Sequence, residues 1–325
     1  MPRTRRSPSA KKSNFAALSV TAASLAVTFC CFDPVPAGED IVTAQSSIIA
    51  PSDVPLPPDA IKTLSNPSEQ SKSIPQENVP LNGILLDNNE AITFSLLLLE
   101  DGARFLRNVD NYTVVFNKQE RIGGDLSKNQ IIELKVRHEP SFSVYMKWKN
   151  GDTGRQVLYN EDYEDKKMVV KLGGLKGRLL PAIKLDPMGA EAMAEARYPV
   201  TQAGLLGMAE QIIAYRRDDL KAGEGVTCVR LPNQVVDERN CYCFQYDYAA
   251  PEFNKLYRKS LVMIDTRYHV PMQVINYTWT NDVQGMSAQQ MDEATLIENY
   301  SFSRMDFGKN LVAEEFSRDN PSYRM

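Results

Sequence analysis

The chain has 325 residues, 43% of them apolar and 24% charged, with a formal charge of −4, which is enough for a large buried core. Its mild acidity, without a long basic run, argues against nucleic acid as a partner, because phosphate binding needs clustered Lys and Arg. The same composition is a poor one for a surface that docks on anionic lipid headgroups.

Arg3, Arg5, Arg6, Lys11 and Lys12 precede an uncharged stretch from Phe15 to Phe32, and Val35 and Ala37 place small residues at −3 and −1 of a cleavage site. This is the layout of a secretory signal over 1–37, with a retained membrane anchor as the alternative. Cys30 and Cys31 end the stretch, but Phe29 occupies the position where lipidation needs a small residue. Removing 1–37 takes away five bases and one acid, so the charge moves from −4 to −8. The expected location is the periplasm or cell envelope. Membrane contact is expected to be transient, or to run through an uncleaved N-terminal segment.

Residues 38–83 read as a Pro/Ser-rich linker, since nine of the 19 prolines fall between Asp33 and Pro80 and such a segment buries too little apolar surface to fold. One β-rich domain is predicted over 84–320. Its first helix spans about Asn89 to Arg107, capped by Asn88 or Asn89, with Phe94, Leu97, Leu98, Phe105 and Leu106 as its apolar stripe. Five strands follow: Tyr112–Gln119, Gln130–Arg137, Phe142–Trp148, Gln156–Glu161 and Lys167–Leu172. FSVYMKW carries the clearest signal, with Phe142, Val144, Met146 and Trp148 on one face and Ser143, Tyr145, Lys147 and Lys149 on the other. A period of two places one face on a core and the other in water. KLGGLKGR, Lys171 to Arg178, reads as a turn because it lacks the GK[ST] ending of a phosphate loop. Helices are predicted over Asp186–Ala196 and from Thr201, as N-cap, to Leu220. Five strands complete the domain: Val226–Leu231, Cys241–Tyr248, Arg258–Asp265, Val270–Trp279 and Ala294–Arg304.

The stretches VVFNKQERIGGDL, LKVRHEPSFSVYMKW and SLVMIDTRYHVPMQVINYTW resemble the bacterial domain of unknown function 1571, over roughly Leu96 to Phe316. More distantly, the chain resembles the periplasmic lipoprotein carriers of LolA and LolB type. That resemblance implies an α+β, β-dominated fold, a large curved antiparallel sheet forming an open half-barrel with helices on its concave face. It also implies that Asp265, Pro271 and Val274 form a capped hairpin, and that Arg137, before Pro140 and Phe142, contacts a lid over the cavity.

Such a sheet sets Phe142, Val144, Met146 and Trp148, together with Val262, Ile264, Met272 and Val274, against Leu205, Met208 and Ile212 of the second helix. These are the candidate ligand-cavity residues, although a filled core has the same composition. Chemistry is sparse: His138 and His269 stand in no metal spacing, no GxSxG elbow is present, and no metal site or cofactor is expected. The acidic run from Glu161 to Asp165 reads as a solvated loop with Tyr163 packed down. Cys228, Cys241 and Cys243 lie on consecutive strands, and a disulfide from Cys228 to Cys241 or Cys243 is expected in an oxidising compartment.

The reading is of an exported, non-enzymatic protein that binds an apolar ligand such as lipid, acyl chain or lipoprotein. The alternative is a structural or protein-interaction module of the envelope with a filled core, its docking strip formed by Tyr242, Phe244, Tyr246 and Tyr248, unless, as the favoured reading of those four has it, a helix covers that sheet face.

Overall fold

The computed structural model describes residues 86–280, 285–323 and 325, so the signal and linker expected over 1–83 lie outside the described residues. Helix α1 (Asn88–Arg107) is capped by Asp87 rather than by Asn88 or Asn89. The Asp87 carboxylate accepts from Glu90 N–H at 2.8 Å, and the Glu90 carboxylate accepts from Asp87 N–H at 3.0 Å, a reciprocal box that satisfies two orphan donors. The buried stripe runs through Ile92, Leu99, Ala103 and Leu106. Leu97, predicted on that stripe, is exposed, because one residue past the stripe turns the side chain about 100° away.

Strands β1 (Asn111–Ile122), β2 (Asp125–Leu126), β3 (Gln130–Arg137), β4 (Ser143–Trp148), β5 (Gln156–Asn160) and β6 (Met168–Lys171) follow closely. The short helix α2 (Lys176–Leu179) leads to β7 (Ile183–Leu185), and α3 (Ala190–Met193) precedes the long α4 (Leu205–Ala222). The chain then forms β8 (Val226–Val236), β9 (Arg239–Tyr248), β10 (Lys259–Asp265), β11 (Pro271–Tyr277), α5 (Ala288–Thr295) and β12 (Leu296–Asp306). One twelve-stranded sheet results, ordered β7-β6-β5-β4-β3-β1-β12-β11-β10-β9-β8, with β2 paired to β1. Every pairing is antiparallel. Strand β12 returns to join the two meanders, and among the described residues β7 and β8 are the outer edges, so the sheet is open. This is the β-dominated α+β half-barrel expected.

Two predicted helices are corrected and a third helix is added. Only Ala190–Met193 of the Asp186–Ala196 segment is helical, because the Asp186 carboxylate accepts from Met188 N–H at 2.8 Å and holds a turn there. Thr201 lies in a 3-10 turn, and α4 is capped by Gly204 at φ +98. That backbone suits glycine, and it lets Leu205 N–H donate to the buried Tyr112 hydroxyl at 2.8 Å. Helix α5 was not predicted, although Ser287 and Gln290 form a capping box at its start.

Helices α1 and α4 pack on β8–β11, where Ile92, Leu99 and Ile213 meet Phe244, Tyr246, Val262 and Ile264. Tyr246 and Tyr248 are therefore covered by helices rather than displayed as a docking strip. Helix α1 comes so close to the β10–β11 turn that a Cβ on Gly102 would collide with the His269 carbonyl. That turn matches the hairpin expectation: Asp265 accepts from Arg267 N–H at 2.9 Å and Tyr268 N–H at 2.6 Å, and Pro271 opens β11.

The far face of β4 is not wet. Tyr145 stacks on Tyr323, with centroids 3.8 Å apart and planes at 8°, and Leu158, Leu311 and Phe316 complete this small second core. The C-terminal strap is held by Lys135 with Glu315 and by the Tyr163 hydroxyl, which donates to Phe316 O at 2.9 Å. Tyr163 of the acidic run is thus packed down, as read from sequence.

The disulfide expectation is overturned: Cys228, Cys241 and Cys243 are all free and buried. Cys228 sits directly across from Tyr246, whereas Cys243 sits across from Leu231. Tyr246 and Cys243 are an odd number of residues apart on β9, so Cys228 and the other two thiols occupy opposite faces and cannot bridge. Burial pushes all three thiols up to about 12, which leaves them protonated and unreactive.

Candidate functional site

A cavity of about 400 Å³ opens between the helix-side face of the sheet and the segment joining β7 to α4. This lies within the range of roughly 300–1,000 Å³ typical of ligand clefts. The sheet supplies Leu134, Met146, Trp148, Val157, Val170 and Phe302, brought into phase by register: Leu134 faces Met146, and Met146 faces Val157. Helix α4 supplies Met208 and Ile212, and the covering segment adds Pro187, Ala192, Met193 and Val200.

Polar anchors hold that cover in place. Arg155, lying 5.1 Å over the Trp148 ring, pairs with Glu195 of the cover at 2.6 Å. Arg197 pairs with Glu298 at 2.6 Å, and Tyr198 donates to the same carboxylate at 3.1 Å. Glu298 is only 1% exposed. It also accepts from the Tyr257 hydroxyl at 2.7 Å and the Asn276 amide at 2.6 Å. A buried charge is tolerated only when it is paired and hydrogen-bonded to this extent. Glu120, equally buried, is met by Lys118 at 2.9 Å and by the Tyr300 hydroxyl. Burial, and then the Glu298 carboxylate, holds the Tyr257 and Tyr300 hydroxyls far above the ordinary phenol range. Burial opposes the Arg197 charge, yet Glu298 keeps its pKa above the usual arginine value.

Among the sequence-predicted residues, Met146, Trp148, Val274, Met208 and Ile212 line the cavity. Val144 and Leu205 are fully buried beside it, and Phe142 packs half-buried on Tyr159 at 6.2 Å. Val262 and Ile264 lie under the helices with Phe244, and Met272 is closed in the core. Arg137 points to the opposite face. It donates to the Ser143 hydroxyl at 2.8 Å and lies 5.0 Å over the Phe316 ring of the C-terminal strap, so it does not touch the cover. The cover's own anchors, Arg197 and Glu298, were missed, although Glu298 stands in phase with Tyr300 and Phe302 on β12. His138 donates its Nδ1–H to the Leu106 and Val109 carbonyl oxygens, each at 3.0 Å, and His269 meets Asp101 at 2.8 Å. Neither histidine lines the cavity. Among the described residues no cluster could hold a metal ion, and no helix is long and apolar enough to cross a membrane.

No curated protein matches the chain. Solved structures similar to it include a DUF1329 family protein from Desulfovibrio piger, at 10% identity and a TM-score of 0.33, covering 72% of this chain and 98% of that one. Lipoprotein LppX of Mycobacterium tuberculosis is 10% identical with a TM-score of 0.38, covering 68% and 99%. A LolA superfamily protein from Nitrosomonas europaea is also 10% identical, with a TM-score of 0.27, covering 69% and 98%. Likeness at this level assigns no function. The family model described as "Protein of unknown function (DUF1571)" matches residues 109–325, about two thirds of the chain, and the protein belongs to that family.

Proposed function

We propose that the protein is an exported, non-enzymatic carrier that holds an apolar ligand, such as an acyl chain or the lipid part of a lipoprotein, in the cavity beneath the 187–204 cover. The observation that carries this reading is the cavity itself: an apolar floor of Met146, Trp148, Val157 and Val170 left unfilled beneath a cover fixed by ion pairs. Burial of each methylene would contribute ~0.8 kcal/mol. A long chain could therefore bind at micromolar strength after the ordering cost of association.

Support for a binding role over catalysis comes from the state of the ionisable groups. The Glu298 carboxylate is engaged by phenols, an amide and Arg197, and Glu120 by the Tyr300 hydroxyl and Lys118. The buried thiols are held protonated. The signal-like N-terminus supports a location in the periplasm or cell envelope, where a lipid or lipoprotein cargo and an envelope partner protein would be available.

The test is mass spectrometry of an organic extract from protein purified without detergent. About one chain-bearing amphiphile per protein is expected, or uptake of added fluorescent stearate if the cargo is lost on purification. A clean extract together with no uptake would refute the carrier reading.

A further inference from the structure

The stretch from Leu175 to Met188, through α2 and β7, has a feature that the core does not explain. Leu175, Leu179 and Met188 are 70%, 73% and 63% exposed, and Leu180 and Ile183 are also exposed. Scattered exposed leucines are ordinary, but five large apolar side chains within fourteen residues form a contiguous run of the kind that marks an interaction surface. Cations are interleaved with them. Lys176, Arg178 and Lys184 are exposed, Lys184 being paired with Asp165 at 2.8 Å, and Asp186 is the one acid within the run.

We propose that this edge of the sheet docks transiently on a bilayer carrying anionic lipid. Leucines set between lysine and arginine on one short element suit the headgroup boundary, where apolar side chains enter and cations remain with the phosphates. A protein partner fits less well, because lysine is depleted from protein interface cores, and a second copy would bring the same positive run against itself. The edge also adjoins the cavity, for Leu172, Ile183 and Leu185 are among its lining residues. Docking therefore sets the cavity mouth beside the lipid. The inference rests on the exposed segment and holds whatever the cavity contains.

The test is co-sedimentation of the full chain with vesicles of phosphatidylglycerol and phosphatidylcholine, compared with phosphatidylcholine alone. The parent is expected to prefer the anionic vesicles. Leu175→Ser with Leu179→Ser should weaken binding about tenfold or more, and Lys176→Glu with Arg178→Glu should erase the preference. None of these four side chains lines the cavity, so near-UV circular dichroism and stearate uptake should be unchanged. The proposal is overturned if the parent fails to sediment with anionic vesicles, or if both double variants bind like the parent. A vesicle-independent dimer that the leucine variant breaks, with no change in sedimentation, would also overturn it and assign the patch to a second copy.

Discussion

The two halves of the helix-side face are covered by different means, and that difference separates core from cavity. Over β8–β11, two long helices press their stripes directly onto Phe244, Tyr246, Val262 and Ile264. Over β3–β6, the covering segment 187–204 is mostly irregular and is tied down by Arg155–Glu195 and Arg197–Glu298. Where α1 and α4 press their stripes onto the sheet the space is filled, whereas beneath the strap, with one flank of α4 (Met208, Ile212) and Val274 at its wall, a hollow remains. A single sheet can thus carry a packed core and a hollow, according to what lies on top.

The sharpest way to break this comparison is to remove volume from each half. Phe244→Ala in the filled half should cost roughly 3–5 kcal/mol, transfer and cavity terms together. Met146→Ala, at the wall of an existing hollow, should cost only about 1 kcal/mol. Denaturant unfolding measures both, and equal costs would mean that the two halves are packed alike.

Arg197→Met should lose about 3 kcal/mol or more, because it leaves Glu298 buried without its cation. Adding Glu298→Gln should restore part of that loss in a double-mutant cycle. If the two losses simply add, the pair does not anchor the cover.

The smallest effect is expected at His138, which packs edge-on against Tyr112. Burial holds its pKa below 6.5, so the unfolded chain binds the proton more readily than the fold does. Its contribution to stability is complete above about pH 6.5 and falls as the pH drops below that value. A pH series of melting temperatures should show the decline, and His138→Gln should flatten it.

The sheet was legible in the sequence because its alternation is strict: Gln130–Arg137 matches β3 at both ends, and FSVYMKW contains β4. Yet alternation reports that a face is covered, never what covers it. Tyr145 was therefore read as wet, although the C-terminal strap roofs it. Candidate cavity residues divided for the same reason, Met146 and Trp148 facing the hollow while Val262 and Ile264 face α1. Gly204's positive φ decides where α4 begins, and Thr201 offered a plausible cap three residues early. The cover's anchors left one readable sign, charged Glu120 and Glu298 in phase with buried aromatics. A charge on the buried phase of a strand demands a buried partner, and that rule would have pointed to Arg197 and Lys118. The thiols misled because adjacency on consecutive strands says nothing about face until register is known.

The central claim is that the hollow half accepts an apolar chain, and a titration with fluorescent stearate tests it most directly. Parent protein and a Val157→Trp variant would be compared, since Val157 lies in the floor of the cavity and indole bulk would occupy it. Saturable binding at one site per chain in the parent, lost in the folded variant, is the predicted result. Equal binding by both proteins, or none by either, would contradict the account.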